Sequence, residues 1–177
     1  IGADNIAAMV AAGRFRATDE VAALAQADVI LICVPTPLTA NREPDMRYVE
    51  ETTRAIASVL RKGQMIILES TTYPGTTEGL MKPILEASGL VSGSDFLLAY
   101  SPEREDPGNA GHSTTQVPKV VGGDGDAARD AACAFYETIT TAGTVPVTDT
   151  KTAEAVKLME NIFRSVNIAL VNELKVI

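Results

Sequence analysis

The sequence is short of the residue types that most often announce a chemistry. It has one histidine and two cysteines in 177 residues. His112 lies in the polar stretch Gly111-His112-Ser113 and reads as solvated rather than catalytic. Cys33 and Cys133 lack CxxC spacing and read as reduced, buried thiols, so neither a disulfide scaffold nor a metal site is expected. Positive charge is scarce: 15 lysines and arginines face 23 acidic residues, for a net charge of −8. That balance argues against a nucleic-acid partner or an anionic membrane surface, while leaving room for a local basic pocket that holds phosphate. No apolar run is long enough to span a bilayer and no signal-peptide pattern is visible. The expectation is a cytoplasmic protein with one real hydrophobic core. The chain begins at Ile1, without Met, and stops at Ile177 inside an apolar pattern, so both ends read as cut.

What is present is organised around Ala27 to Pro37. Val29 to Val34 is an unbroken apolar run, which predicts a strand covered on both faces. Pro35 lacks the amide that a sheet ladder needs, so Pro35-Thr36-Pro37 is read as a loop at the strand's carboxyl end. Before it, Asp4 is expected to cap a short helix ended by Gly13, Phe15 to Ala17 to form a short strand, and Thr18 or Asp19 to start a helix. After it, a helix opens at Pro44-Asp45 with Val49, Ile56, Val59 and Leu60 on one face. Met65 to Leu68 is a second strand. Thr76 or Thr77 should cap a helix that Pro83 kinks or delays. Phe96 to Tyr100 and Lys119 to Val121 are further strands. Asp126 to Thr141 is a helix with Ala131, Phe135 and Ile139 on one face, Thr144 to Val147 a last strand, and a long helix runs from about Thr152 to the end. Strands alternating with helices predict a Rossmann-like, doubly wound parallel α/β sheet.

Three predicted strands end in polar loops: Pro35-Thr36-Pro37, Ser70-Thr71-Thr72 and Ser101-Pro102-Glu103-Arg104. In a parallel sheet these ends face one crevice, where ligands bind in open α/β folds. Glu103 and Arg104 could hold a hydroxylated or phosphorylated ligand there, or form a plain surface pair. The last helix carries an apolar stripe (Ala155, Met159, Ile162, Phe163, Val166, Leu170, Leu174). A second face bears Lys157, Asn161, Ser165 and Asn172. A lone lysine beside asparagine suits an oxyanion or a carboxylate, the alternative being a plain solvent-exposed face.

These stretches resemble a known family. ADVILICVPTPL (Ala27–Leu38), LESTTYPGTT (Leu68–Thr77), SPEREDPGN (Ser101–Asn109), PKVVGG (Pro118–Gly123) and AVKLMENIFRSVNIALVNEL (Ala155–Leu174) resemble the nucleotide-sugar 6-dehydrogenases. The likeness is strongest to the UDP-N-acetylglucosamine and UDP-N-acetylmannosamine branch. The resemblance implies NAD as cofactor, a UDP-sugar as substrate, and oxidation of the sugar C6 alcohol to a carboxylate in two hydride transfers, with a cysteine thioester between them. It implies that residues 1–150 are most of an NAD-binding domain lacking its first strand and glycine-rich turn, and 151–177 the start of a central dimerisation helix. The family's catalytic cysteine has no counterpart here. Carried over by position, Val34, Pro35, Thr36, Ser70, Thr71 and Thr72 are cofactor contacts, and Thr71 also helps hold catalytic water. Glu103 is the acid/base group. Lys157 and Asn161 stabilise the oxyanion, and Arg104, Glu105 and Arg164 join Glu103, Lys157 and Asn161 around the substrate. Glu105 departs from the branch, which usually has an apolar residue there. A related hydroxyacid dehydrogenase and a folded but non-catalytic fragment are the alternative readings.

Overall fold

The computed structural model describes residues 2–103 and 116–176. It contains five strands, β1 (Val29–Ile32), β2 (Met65–Leu68), β3 (Leu97–Tyr100), β4 (Lys119–Gly123) and β5 (Thr144–Pro146). The α-helices are α1 (Ala3–Ala11), α2 (Arg47–Ala57), α3 (Lys82–Glu86), α4 (Asp126–Glu137) and α5 (Thr150–Val176). One sheet, ordered β1-β2-β3-β4-β5, is sandwiched between helices. This is the expected α/β, Rossmann-like class, with one departure: β1, β2 and β3 are parallel, β4 runs antiparallel to β3, and β5 is parallel to β4.

The interior strand β2, Met-Ile-Ile-Leu, is buried on both faces. One side of the sheet packs Ile30, Ile32, Ile66, Leu68, Leu98 and Tyr100 against Val49 and Ile56 of α2 and Leu85 of α3. The other packs Met65, Ile67, Ala99 and Val121 against Ala132 and Tyr136 of α4. Strand β1 is shorter than its apolar run, because only Val29 to Ile32 pair with β2. It is also an edge strand of the sheet, so Leu31 stays 40% exposed rather than covered.

Several local expectations are corrected. Helix α1 is capped at Gly2, and Asp4 lies in its first turn, where a carboxylate still meets the positive helix end. Gly13 does end it: with φ near +66° it lets Arg14 N–H reach Met9 O at 2.9 Å and Gly13 N–H reach Val10 O at 3.0 Å. Phe15 to Ala17 is no strand. Among the described residues no neighbouring strand pairs with it, and the chain passes on to a 3₁₀ helix at Val21–Gln26. Pro83 delays α3 as expected, and a π-turn at Thr77–Met81 precedes it. The inward face of α4 is Ala128, Ala132 and Tyr136, while Ile139 is 52% exposed.

The reason lies in β4. A Cβ built on Gly123 would sit 2.2 Å from Arg129 N, and one on Gly122 would sit 2.2 Å from Asp149 O. The backbones of α4 and of the turn into α5 therefore press directly on this strand. Only small side chains fit between them, which selects the alanine face of α4 over the Phe135 face. Replacing Gly123 or Gly122 by alanine should cost about 3 kcal/mol or more through overpacking against rigid backbone. Urea unfolding is the measurement, and Gly79→Ala, in open space, is the control expected to change stability little.

Candidate active site

The parallel register places Ile32, Leu68 and Tyr100 side by side, so β1, β2 and β3 stop at one level. Their exit loops form one crevice of about 310 Å³, lined by Cys33, Val34, Pro35, Thr36, Glu69, Ser70, Thr71 and Glu103. Thr36, Thr71 and Glu103, expected to converge, do so. Hydroxyls knit the loops together: Thr36 Oγ1 donates to Thr71 O at 2.8 Å and Ser70 Oγ to Val34 O at 2.7 Å. Tyr100 Oη donates to Ser70 O from beneath, and burial pushes that phenol well above its usual range. Thr72 is buried instead, with its hydroxyl against that of Thr76.

Helix α5 meets the crevice wall at Glu103. Lys157 Nζ donates to Glu103 O at 2.7 Å. Asn161, half-buried, follows one turn along α5, and Arg164 is exposed further out. Arg104, Glu105 and His112 lie outside the described residues.

Two glutamates that sequence reasoning passed over hold this arrangement. Glu154, fully buried on α5, accepts hydrogen bonds from Gly75 N, from Thr77 N at 2.9 Å and from Thr77 Oγ1 at 2.7 Å. It caps the turn after β2, the task expected of Thr76 or Thr77. Thr76 Oγ1 points back to Tyr73 O instead. Glu69 sits at the exit of β2, where its carboxylate accepts from Lys119 Nζ at 2.9 Å and from the Tyr136 hydroxyl. Because β4 is antiparallel to β3, its first residue, Lys119, arrives at the edge where β1, β2 and β3 end. Isolated in the sequence, neither glutamate had a partner to give it away.

Cys33 is exposed rather than buried. Its thiol lies 3.6 Å from Glu69 Oε2. Partial enclosure by the crevice wall, and then the Glu69 carboxylate, push its pKa up to about 11. It is a neutral thiol at pH 7 and unsuited to nucleophilic attack. Cys133 is half-buried on α4, away from the crevice.

The crevice suits part of a dinucleotide. Its volume is at the lower end of ligand pockets, roughly 300–1,000 Å³, and the carboxylates of Glu69 and Glu103 favour a cationic ring over a pyrophosphate. No other turn replaces a phosphate cradle among the described residues. Gly123-Asp124-Gly125-Asp126-Ala127-Ala128 has dinucleotide-turn spacing between strand and helix. Yet Asp124 there is engaged by Lys82 at 2.8 Å and by Ser92, Asp126 adds a second negative charge, and the turn lies at the opposite edge of the sheet. The described residues contain no group of three or more potential metal ligands.

Fold and crevice define a Rossmann-like α/β domain with polar loops gathered at its parallel strand ends. Residues 3–140 match the model of the UDP-glucose/GDP-mannose dehydrogenase family, NAD binding domain, and the chain belongs to that family. It is 41% identical over 155 residues to UDP-N-acetyl-D-glucosamine 6-dehydrogenase of Pseudomonas aeruginosa, covering 87% of this chain and 37% of that protein. It is 40% identical over 161 residues to UDP-N-acetyl-D-mannosamine dehydrogenase of Pyrococcus horikoshii, covering 91% and 38%. The solved structure of the UDP-D-ManNAc dehydrogenase from Pyrococcus horikoshii superposes with a TM-score of 0.86 at 41% identity, over 93% of this chain and 39% of that one. The chain thus spans about two fifths of the length of these relatives.

Glu154 yields a stability prediction. Glu154→Ala orphans the donors of Gly75 and Thr77 and should cost about 2–4 kcal/mol. Burial raises the Glu154 pKa above its ordinary 4.5, outweighing the hydrogen bonds. The native state therefore holds this proton more tightly than the unfolded chain does. The stability so conferred is full below the unfolded pKa and is lost as pH rises through the folded one. The difference between wild type and Glu154→Ala, read from urea midpoints, should be larger near pH 4 than near pH 7.

Proposed function

We propose that this chain is the cofactor-side portion of an NAD-dependent UDP-sugar 6-dehydrogenase acting on a UDP-N-acetylhexosamine or UDP-glucose, in synthesis of surface-polysaccharide precursors. Residues 1–150 would form the partial NAD-binding domain and 151–177 the start of the central helix. The observation that carries the reading is the convergence of Thr36, Thr71 and Glu103 in one crevice, with Lys157 of α5 on the Glu103 carbonyl. Similarity to a UDP-N-acetyl-D-glucosamine 6-dehydrogenase and a UDP-N-acetyl-D-mannosamine dehydrogenase supports it.

NAD, when bound, supplies the hydride acceptor. The loop groups Val34, Pro35, Thr36, Ser70 and Thr71 hold its reactive end, with Thr72 buried behind them against Thr76. Glu103, exposed at the crevice wall, takes and returns the proton of the C6 hydroxyl. Lys157 brings its ammonium to the Glu103 carbonyl at the crevice wall, where a positive charge favours negative charge developing on the substrate oxygen. Asn161 adds a neutral donor one turn away, and Thr71 orients water. Arg104, Glu105 and Arg164 contact the sugar nucleotide. The second oxidation needs a thiolate, and Cys33 is held neutral, so the nucleophile comes from elsewhere in the protein.

NADH formation with UDP-N-acetylhexosamines and UDP-glucose tests the reading. The full-length protein should oxidise at least one of them. The 177-residue chain alone should show no turnover. Lys157→Ala should lower kcat by about 100-fold with a much smaller change in KM, as expected of a group acting mainly in the transition state. A full-length protein inert toward every UDP-sugar, or a Lys157→Ala variant with normal kcat, would refute it.

The homodimer belongs to this proposal. At 27 residues α5 is about 40 Å long. Met159, Ile162, Phe163, Val166, Leu170, Val171 and Leu174 are all more than half exposed along it. A stripe of that extent favours association. Sedimentation of the wild type should show concentration-dependent self-association that Val171→Glu with Leu174→Glu abolishes. A wild type monomeric at high concentration would leave the stripe without this role.

A further inference from the structure

We propose that Glu69, Lys119 and Tyr136 form a positioning unit for the Pro102–Glu103 peptide, with Lys119 as its key member and Glu103 as the group it serves. The functional significance rests on the acid/base role given to Glu103 above, while the physical linkage does not.

The Glu103 side chain is exposed at the crevice wall. Its backbone is instead gripped at three points. Lys119 Nζ donates to Pro102 O at 3.3 Å, Glu103 N–H donates to Glu69 O at 3.4 Å, and Lys157 Nζ donates to Glu103 O at 2.7 Å. Lys119 is 7% exposed. Its ammonium is held between the Glu69 carboxylate at 2.9 Å and the Tyr136 ring, 4.6 Å from the ring centroid. The Tyr136 hydroxyl donates to the same Glu69 oxygen. A buried cation with a carboxylate, a π-face and a carbonyl around it has little freedom, so the carbonyl it holds has little freedom either. The unit draws on β2, β4 and α4, and on the loop after β3, with a cavity of about 250 Å³ beside Glu69, Glu103, Lys119 and Tyr136. Such a network is more elaborate than the end of a strand requires. What it fixes is the approach of one glutamate to the crevice.

Cys33 is a built-in reporter. The charged and titratable groups facing it are Glu69, Glu103 and Lys119, with Tyr136 behind Glu69. Glu69 and Glu103 disfavour its thiolate and Lys119 favours it. The two buried partners thus act on the thiol with opposite sign.

The test uses the 177-residue chain in a Cys133→Ser background, with iodoacetamide alkylation of Cys33 followed against pH and amide exchange followed at Glu103. Glu69→Gln should speed alkylation about fivefold or more near pH 9, and Lys119→Met should slow it about threefold or more, as expected when thiolate fraction controls the rate. Loosening alone would speed both, and would overturn the proposal, as would no change in either. Lys119→Met should also speed Glu103 amide exchange at least tenfold, and Lys119→Arg should restore most of the protection. Exchange unmoved by Lys119→Met overturns the proposal. Should Lys119→Met not fold, the neutral pair Glu69→Gln with Lys119→Met replaces it in the exchange arm, with the same outcomes. In the full-length protein, Lys119→Met should lower kcat about tenfold with KM within threefold, and Lys119→Arg should recover it; unchanged kcat overturns the catalytic significance. A wild type with no UDP-sugar oxidation removes the functional reading, and the alkylation and exchange results then still decide whether the unit exists.

Discussion

The alignment of three parallel strand ends is the constraint from which the crevice follows. Ile32, Leu68 and Tyr100 occupy the same level because each pairs in register with the next. The backbone after each is then released at one edge, with unpaired amides and carbonyls that must find partners. Thr36, Ser70 and Tyr100 supply hydroxyls that satisfy several of those carbonyls. What would be a costly row of orphaned backbone groups becomes an ordered set of loops. A one-residue slip in any pairing would turn the apolar side chains to the wrong face and move one loop out of the crevice.

Two carboxylates translate that edge into the rest of the fold. Glu154 joins α5 to the turn after β2 by accepting three hydrogen bonds. Glu69 joins the exit of β2 to β4 and α4 through Lys119 and Tyr136. Each is at a place where a helix or strand from far along the chain meets the crevice. Buried or half-buried charge costs desolvation, so these contacts are weak as sources of net stability. Their effect is geometric, because removing either partner strands the other. The close approach of backbone at Gly122 and Gly123 serves the same end by seating α4 and the start of α5 against β4.

Long, exposed and apolar, α5 is the element least explained by the chain on its own. Its first turns carry Ala153 and Glu154 into the core and Lys157 to Glu103. Beyond Asn161 every described residue is exposed. One helix thus carries both a contact to the crevice wall, through Lys157, and the exposed apolar stripe.

The α/β class was legible in the sequence by itself, as were the positions of most strands, the three polar loops and the lysine face of the last helix. These depend on local rules: apolar runs of strand length, prolines that deny an amide, and apolar spacing of 3.6 residues. The same motifs, in order, carried the family resemblance. Only the tertiary structure decided the direction of β4, and with it that Lys119 rather than Gly123 stands at the crevice edge. It also decided which face of α4 turns inward, because Phe135 and Ile139 are the more hydrophobic choice by periodicity and lose to Ala132 and Tyr136 against a glycine strand. It took Cys33 from an expected buried thiol to an exposed one, since β1 leaves the sheet at Ile32. Glu69 and Glu154 were unreadable beforehand for the same physical reason. A polar residue's role is set by its partners, and theirs lie 50 and 77 residues away in the chain.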